Sequence, residues 1–298
     1  MLKGSFVALV TPMTEARALD WGALDALVDW HLEAGTHGFV PVGTTGESPT
    51  LDIPDHLKVI ERVIERVGGR RPVLAGTGSN ATDEAILMTR EAHAMGASGS
   101  LQVTPYYNKP TQEGLFQHFS AIADAVPMPV VLYNVPGRTV ADLLPETVAR
   151  LATHPGIVGL KEATGSAARI EELKARVPDD FSLLSGEDGM NVALMEAGCV
   201  GVISVTANVV PAALAAICEA ALAGDFTKAR ELDAPLAALH EALFLEPNPI
   251  PVKWALAAMG RMEGGIRLPL TPLGAEAQGS LRAALDALGL LGLLGEGA

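Results

Sequence analysis

The sequence predicts an α/β fold, a (β/α)8 TIM barrel carrying a helical appendage at its C-terminal end. Three observations predict it. Eight short apolar runs alternate with segments of helical spacing over residues 5–204, the pattern of parallel βαβ units. The chain has 298 residues, which suits one large barrel or two ordinary domains, and eight strands favour closure over an open doubly wound sheet. Beyond the eighth run the chain continues Ala- and Leu-rich, with helical rather than strand spacing.

The elements follow in order. Ser5–Val10 is the first strand, closed by Thr11-Pro12. Asp20 caps a helix from Trp21 to Ala34, and Gly35 stops it. Gly38–Val42 is the second strand, ending in Gly43-Thr44-Thr45-Gly46-Glu47-Ser48, with a helix over Pro54–Val67 after it. Pro72–Gly76 is the third strand, and Thr82 or Asp83 opens a helix to Met95. Ser100–Val103 precedes Thr104-Pro105-Tyr106-Tyr107-Asn108 and a helix over Gln112–Ala125. Pro129–Tyr133 is the fifth strand, followed by Asn134-Val135-Pro136-Gly137-Arg138-Thr139 and a helix over Pro145–Ala152. Ile157–Leu160 is the sixth, too short for a helix and apolar enough for a strand buried on both faces. Phe181–Ser185 and Val200–Ser204 complete the set. Helical spacing then covers Pro211–Gly224, Asp225–Leu245 and Pro251–Met259, while the three prolines of 246–251 require a kinked connector. Residues 1–224 are expected to form the barrel with its active site, and 225–298 the helical region.

Composition excludes several classes. A net charge of −14 and a pI near 4.9, with no basic run, exclude non-specific binding to nucleic acid. No apolar run approaches the roughly 20 residues of a membrane span. The N-terminus lacks a signal peptide's apolar stretch, and two cysteines without metal or disulfide spacing suit a reducing cytoplasm. The seven histidines make no i, i+4 pair with another ligand, so no metal and no cofactor is expected.

In a barrel of this kind chemistry gathers at the C-terminal ends of the strands. Lys161 follows the sixth apolar run there. Read alone, it is one of many charges that punctuate strands. In a buried position it is an amine that loses its proton readily and attacks carbonyl carbon to form a Schiff base. All three tyrosines, Tyr106, Tyr107 and Tyr133, fall just past expected strand ends, where a packing role would scatter them. Thr44 and Thr45 bring two hydroxyls and free backbone N–H groups to a Gly-flanked turn, either a plain tight turn or a carboxylate cradle. Arg138 offers a fork suited to a second carboxylate, or is a solvated loop charge. Together these groups permit one narrow chemistry. A 2-oxo acid is held as an imine and deprotonated at its methyl carbon by a tyrosine–threonine relay, giving an enamine without a cofactor.

The motifs Gly43-Thr44-Thr45-Gly46-Glu47, Val103-Thr104-Pro105-Tyr106-Tyr107-Asn108, Tyr133-Asn134-Val135-Pro136-Gly137-Arg138, Gly159-Leu160-Lys161-Glu162-Ala163-Thr164 and Glu246-Pro247-Asn248-Pro249-Ile250-Pro251-Val252-Lys253 occur in that order. With Ser185-Gly186-Glu187-Asp188 and Ile203-Ser204-Val205-Thr206-Ala207-Asn208, the chain resembles the dihydrodipicolinate synthase / N-acetylneuraminate lyase family from about Leu2 to Leu291. The resemblance implies a Schiff-base lyase that joins pyruvate to aspartate 4-semialdehyde on the route to diaminopimelate and lysine. It makes Lys161 the Schiff-base lysine and Tyr133 the proton donor and acceptor. Thr44 and Tyr107 complete the relay, with Tyr107 reaching in from a neighbouring subunit of a homotetramer, a dimer of dimers. Thr45 meets the pyruvate carboxylate, Ile203 lines the pyruvate pocket, Gly186 lies near bound substrate and Arg138 receives the semialdehyde carboxylate. Ser48, His56, Asn80, Glu84 and Tyr106 match a site for L-lysine as inhibitor. Pro49 and Ile53 depart from that pattern, as does Glu187, where an aspartate is common. The same motifs leave room for a sugar-acid aldolase of the family, from which Arg138 discriminates, and for a non-catalytic binding paralogue, against which the intact relay speaks.

Overall fold

A computed structural model describes residues 2–291. Eight parallel strands form one sheet in the order β2-β1-β8-β7-β6-β5-β4-β3. They are β1 (Gly4–Ala8), β2 (Gly38–Val40), β3 (Leu74–Gly76), β4 (Gly99–Val103), β5 (Val130–Asn134), β6 (Ile157–Glu162), β7 (Ser182–Ser185) and β8 (Gly201–Ser204). The edge strands β2 and β3 meet through the parallel bridge Phe39↔Val73, which brings the sheet round into a barrel. All eight expected strands are present.

Helices α1 (Trp21–Glu33), α2 (Ile53–Val67), α3 (Thr82–Ala94), α4 (Gln112–Ala125), α5 (Pro136–Thr139), α6 (Pro145–Leu151), α7 (Ala167–Lys174), α8 (Asn191–Glu196) and α9 (Pro211–Leu222) lie between and after the strands. The carboxylate of Asp20 accepts a 3.0 Å bond from the Ala23 N–H, so the expected cap opens α1. Helices α10 (Phe226–Asp233), α11 (Ala237–Ala242), α12 (Ile250–Ala258) and α13 (Ala275–Ala287) follow.

Several expectations need correction. Asp225–Leu245 is not one helix. Its α-helical ladder gives way to a tighter 3-10 turn at Ala234–Leu236, where Pro235 supplies no N–H. The helix expected from Pro251 begins one residue earlier, at Ile250, so Pro251 lies inside the first turn of α12, a position where a missing N–H costs nothing. Helices α7, α8 and α13 have no counterpart among the expected elements. Residues 292–298 of the expected helical region lie outside the described residues.

Period-two alternation along the strands sorts side chains between two cores. Leu132, Leu160 and Val202 point outward, into the layer under the surrounding helices. Phe6, Val40, Leu101, Val131, Tyr133, Leu184 and Ile203 fill the barrel interior. A third cluster joins Leu27 of α1 and Val205 after β8 to Leu243, Leu256 and Leu285, seating the C-terminal helices against the barrel. Cys199 and Cys218 are free and buried, and burial pushes their thiols up, that of Cys218 to about 12. No helix among the described residues is long and apolar enough to cross a membrane.

Candidate active site

Strands β5 and β6 pair with Tyr133 opposite Lys161 and Asn134 opposite Glu162. Both strands continue one residue beyond those pairs' first members, so Tyr133 and Lys161 lie within strands rather than past their ends. That placement fixes their direction. Alternation sends Tyr133 and Lys161 into the barrel and Asn134 and Glu162 outward. Lys161 is 6% exposed, and its Nζ lies 4.3 Å from the centroid of the Tyr133 ring. It forms no ion pair among the described residues. Gly186, just after β7, closes over the lysine stem. A Cβ there would lie 2.7 Å from Ala163 Cβ and 3.0 Å from Lys161 Cε. Ile203 on β8 is fully buried in the same interior cluster as Tyr133.

Thr44 and Tyr133 line one cavity, together with Gly43, Ser48 and Val103. Thr45 is buried beside it, its Oγ1 accepting a 3.0 Å bond from Asn248 Nδ2. The turn carrying both threonines is tightly built. Thr11 Oγ1 donates to the Gly46 carbonyl at 2.7 Å, and a Cβ on Gly46 would lie 2.7 Å from the Val42 backbone. Val42 and Glu47 adopt left-handed φ values of 53° and 59°, a strain of order 1–3 kcal/mol each that surrounding contacts must hold.

Arg138 lies on the short helix α5 rather than on a plain loop, because Pro136 presets the first helical φ. It is exposed at the mouth, and its Nη2 donates to the Asn248 carbonyl at 3.3 Å. Tyr107 is not brought to the others within this chain. It is 88% exposed, at a left-handed φ of 74°.

Ser48, His56, Glu84 and Tyr106 line a second cavity, with Pro49 and Ile53 in its wall. Asn80 borders it by donating to the Tyr106 carbonyl at 3.2 Å. All five residues expected there are therefore neighbours. Ser48 and Gly78 line both cavities. His56 is held neutral by burial, which pushes it down to about 4, partly offset by its 2.7 Å bond to the Gly76 carbonyl.

Sequence reasoning missed two constellations. Behind Lys161 and Tyr133, the outward Glu162 is held by Arg169 Nε at 3.0 Å and by Asn134 Nδ2 at 3.1 Å, while Arg169 also binds Asp142 at 2.8 and 2.9 Å. Burial raises the Glu162 carboxyl above its ordinary range, opposed by Arg169, Asn134 and Thr164. The signal was present, since a charged residue directly after an inward lysine must face outward. The second is Glu47, paired with Lys253 at a separation of 206 residues, which no local pattern reveals. Burial and the neighbouring Asp188 raise Glu187, with Lys161 opposing them. Among the described residues no group of three or more His, Cys, Asp or Glu could hold a metal ion. A buried amine beside a phenol has the chemistry for imine formation and proton exchange.

The model of the dihydrodipicolinate synthetase family matches residues 1–288. A 4-hydroxy-tetrahydrodipicolinate synthase of Teredinibacter turnerae is 58% identical over 291 residues, covering 98% of this chain and 100% of that protein. The chloride-inhibited dihydrodipicolinate synthase of Acinetobacter baumannii, solved in complex with pyruvate, superposes with a TM-score of 0.96 at 49% identity, over 98% of this chain and 100% of that one. The enzyme of Cyanidioschyzon merolae, solved with lysine bound, superposes with a TM-score of 0.94 at 39% identity, over 97% and 99%.

Proposed function

The chain belongs to the dihydrodipicolinate synthetase family, and from that premise we propose that it condenses pyruvate with L-aspartate 4-semialdehyde to give 4-hydroxy-tetrahydrodipicolinate, a step of diaminopimelate and lysine biosynthesis. The observation that carries the reading is Lys161, buried inside the barrel without an ion-pair partner and beside the Tyr133 ring. Its Nζ attacks the pyruvate carbonyl carbon, and loss of water leaves an imine. The imine withdraws electrons, so a methyl proton leaves and the enamine carbon attacks the semialdehyde carbonyl; the semialdehyde's amino group then adds to the imine carbon, closing the ring and expelling the Lys161 amine. Tyr133 and Thr44, which line one cavity, carry protons to and from these oxygens and carbons. Thr45 and the N–H groups of its turn take the pyruvate carboxylate. Ile203 walls the pocket, Gly186 leaves room for the adduct and Arg138 receives the second carboxylate at the mouth.

The remaining assignments belong to the same proposal. Tyr107 completes the relay of a neighbouring subunit in a homotetramer, which its exposure within its own chain supports. The second cavity takes L-lysine, its ammonium on Glu84 and its carbon stem against Pro49 and Ile53; the Cyanidioschyzon complex supports that reading. The protein acts in the cytoplasm, where Cys199 and Cys218 remain thiols, with 1–224 as the catalytic barrel and 225–298 as its helical region.

The test is a coupled assay of pyruvate with aspartate semialdehyde beside a panel of sugar-acid aldehydes. The semialdehyde is expected to be used at least tenfold better than any sugar aldehyde. A preference for a polyhydroxy aldehyde would overturn the reading.

A further inference from the structure

The Thr44–Thr45 turn is held by residues from the far end of the chain. Glu47 ends the turn, is fully buried and pairs with Lys253 of α12, itself buried. The other carboxylate oxygen of Glu47 accepts the Arg267 N–H at 3.1 Å. Two residues before α12, Asn248 donates to Thr45 Oγ1 at 3.0 Å, while its own carbonyl holds Arg138. The C-terminal segment thus grips the turn at two points, Thr45 and Glu47.

The choice of a charged pair is informative. Removing two charges from water costs more than their attraction returns unless the geometry is very good, and an apolar pair of similar volume serves packing as well or better. Val252, Ala255 and Leu256 of the same helix are buried in an apolar cluster, so α12 is an element that seats apolar side chains. What an apolar pair lacks is direction. A carboxylate that accepts from Lys253 and Arg267 together has one orientation, and Glu47 carries it from a left-handed backbone that needs outside support.

We propose that Glu47 and Lys253 are positioning residues for the reaction, fixing the Thr44–Thr45 turn so that Thr45 meets the pyruvate carboxylate and Thr44 meets the Tyr133 relay, with Asn248 as the second strap. The inference rests on the functional reading above. It makes α12 and the segments flanking it part of the support of the pyruvate site. Loss of the pair acts on pyruvate and spares the semialdehyde, whose carboxylate is taken at Arg138.

The test is the double substitution Glu47→Gln with Lys253→Met, which removes both charges and keeps an acceptor for the Arg267 N–H. The expected result is a folded protein whose KM for pyruvate rises tenfold or more while its KM for semialdehyde stays within twofold. Amide exchange over residues 43–48 should quicken at least tenfold. A folded double variant with the parental KM for pyruvate overturns the proposal, whatever its exchange rate. If the double variant does not fold, Glu47→Asp, which keeps both charges and shortens the strap, is measured by the same readouts and judged by the same outcomes. Should the parent fail to condense pyruvate at all, the functional reading fails, and exchange over 43–48 decides the positioning claim by itself: quickened supports it, unchanged overturns it.

Discussion

The roles proposed for Lys161 and Arg138 give one type of charge two tasks according to depth. Lys161 lies inside the barrel, where an amine beside an aromatic ring and without a carboxylate partner is free to bond carbon. Arg138 stands at the mouth, where it stays in contact with water. Arg138→Ala is expected to lower kcat/KM for semialdehyde roughly tenfold, the loss of one charge-assisted hydrogen bond in a partly screened site. Trapping of pyruvate on Lys161 should be unchanged. Steady-state kinetics with each substrate varied in turn measures both. The positions of both residues were legible in the sequence, because each comes at or just beyond the end of a short apolar run. Lys253 was not legible. A lone lysine in an apolar helix reads as a solvent-facing charge until the fold supplies Glu47.

At the scale of elements, strand direction decided more than strand position. Expected and observed strands coincide to within a few residues, yet the shift at β6 matters, because Lys161 inside the strand inherits its inward phase. The strands were legible because apolar runs between Gly and Pro have few other solutions. Helices α7 and α8 were not. They span eight and six residues, too short to show periodicity, and α7 is stabilised by its Ser166 cap and by Arg169 binding Glu162 at the end of β6 and Asp142 between α5 and α6. The approach of β7's turn to β6 yields a sharp prediction. Gly186→Ala places a methyl 2.7 Å from Ala163 Cβ and 3.0 Å from Lys161 Cε, so the turn or the backbone at Ala163 must shift and the lysine stem is crowded. Turnover should fall by about 100-fold, as for small misplacements of a reacting group, with the far-ultraviolet circular dichroism spectrum unchanged. Parental turnover would show that the stem has room to yield.

For the whole molecule, buried histidines set the acid limit. Burial holds His31 down to about 3, helped by Arg261, and His56 and His118 down to about 4. Unfolded, each titrates near 6.5, so between about 6.5 and 4 the unfolded chain binds protons that the folded chain refuses. Stability therefore falls as pH falls through that window, by up to about 1.4 kcal/mol per pH unit for each histidine. Urea midpoints should drop between pH 7 and pH 5, and His118→Gln should flatten the slope; an equal slope in both proteins would contradict the assignment. Assembly gives a second prediction at this scale. Mixing Tyr107→Phe subunits with Lys161→Ala subunits, each nearly inactive, should restore activity, because some interfaces then join an intact Lys161 to an intact Tyr107. Hybrids confirmed by native mass spectrometry but still inactive would confine Tyr107 to its own chain.

The proposed chemistry turns on one bond, between Lys161 Nζ and the carbonyl carbon of pyruvate. Borohydride reduction in the presence of pyruvate, followed by peptide mass spectrometry, reads it directly. The account predicts a reduced pyruvyl group on the peptide carrying Lys161, at one per chain, and none in Lys161→Ala. An adduct on another lysine, or an active Lys161→Ala protein, would contradict it.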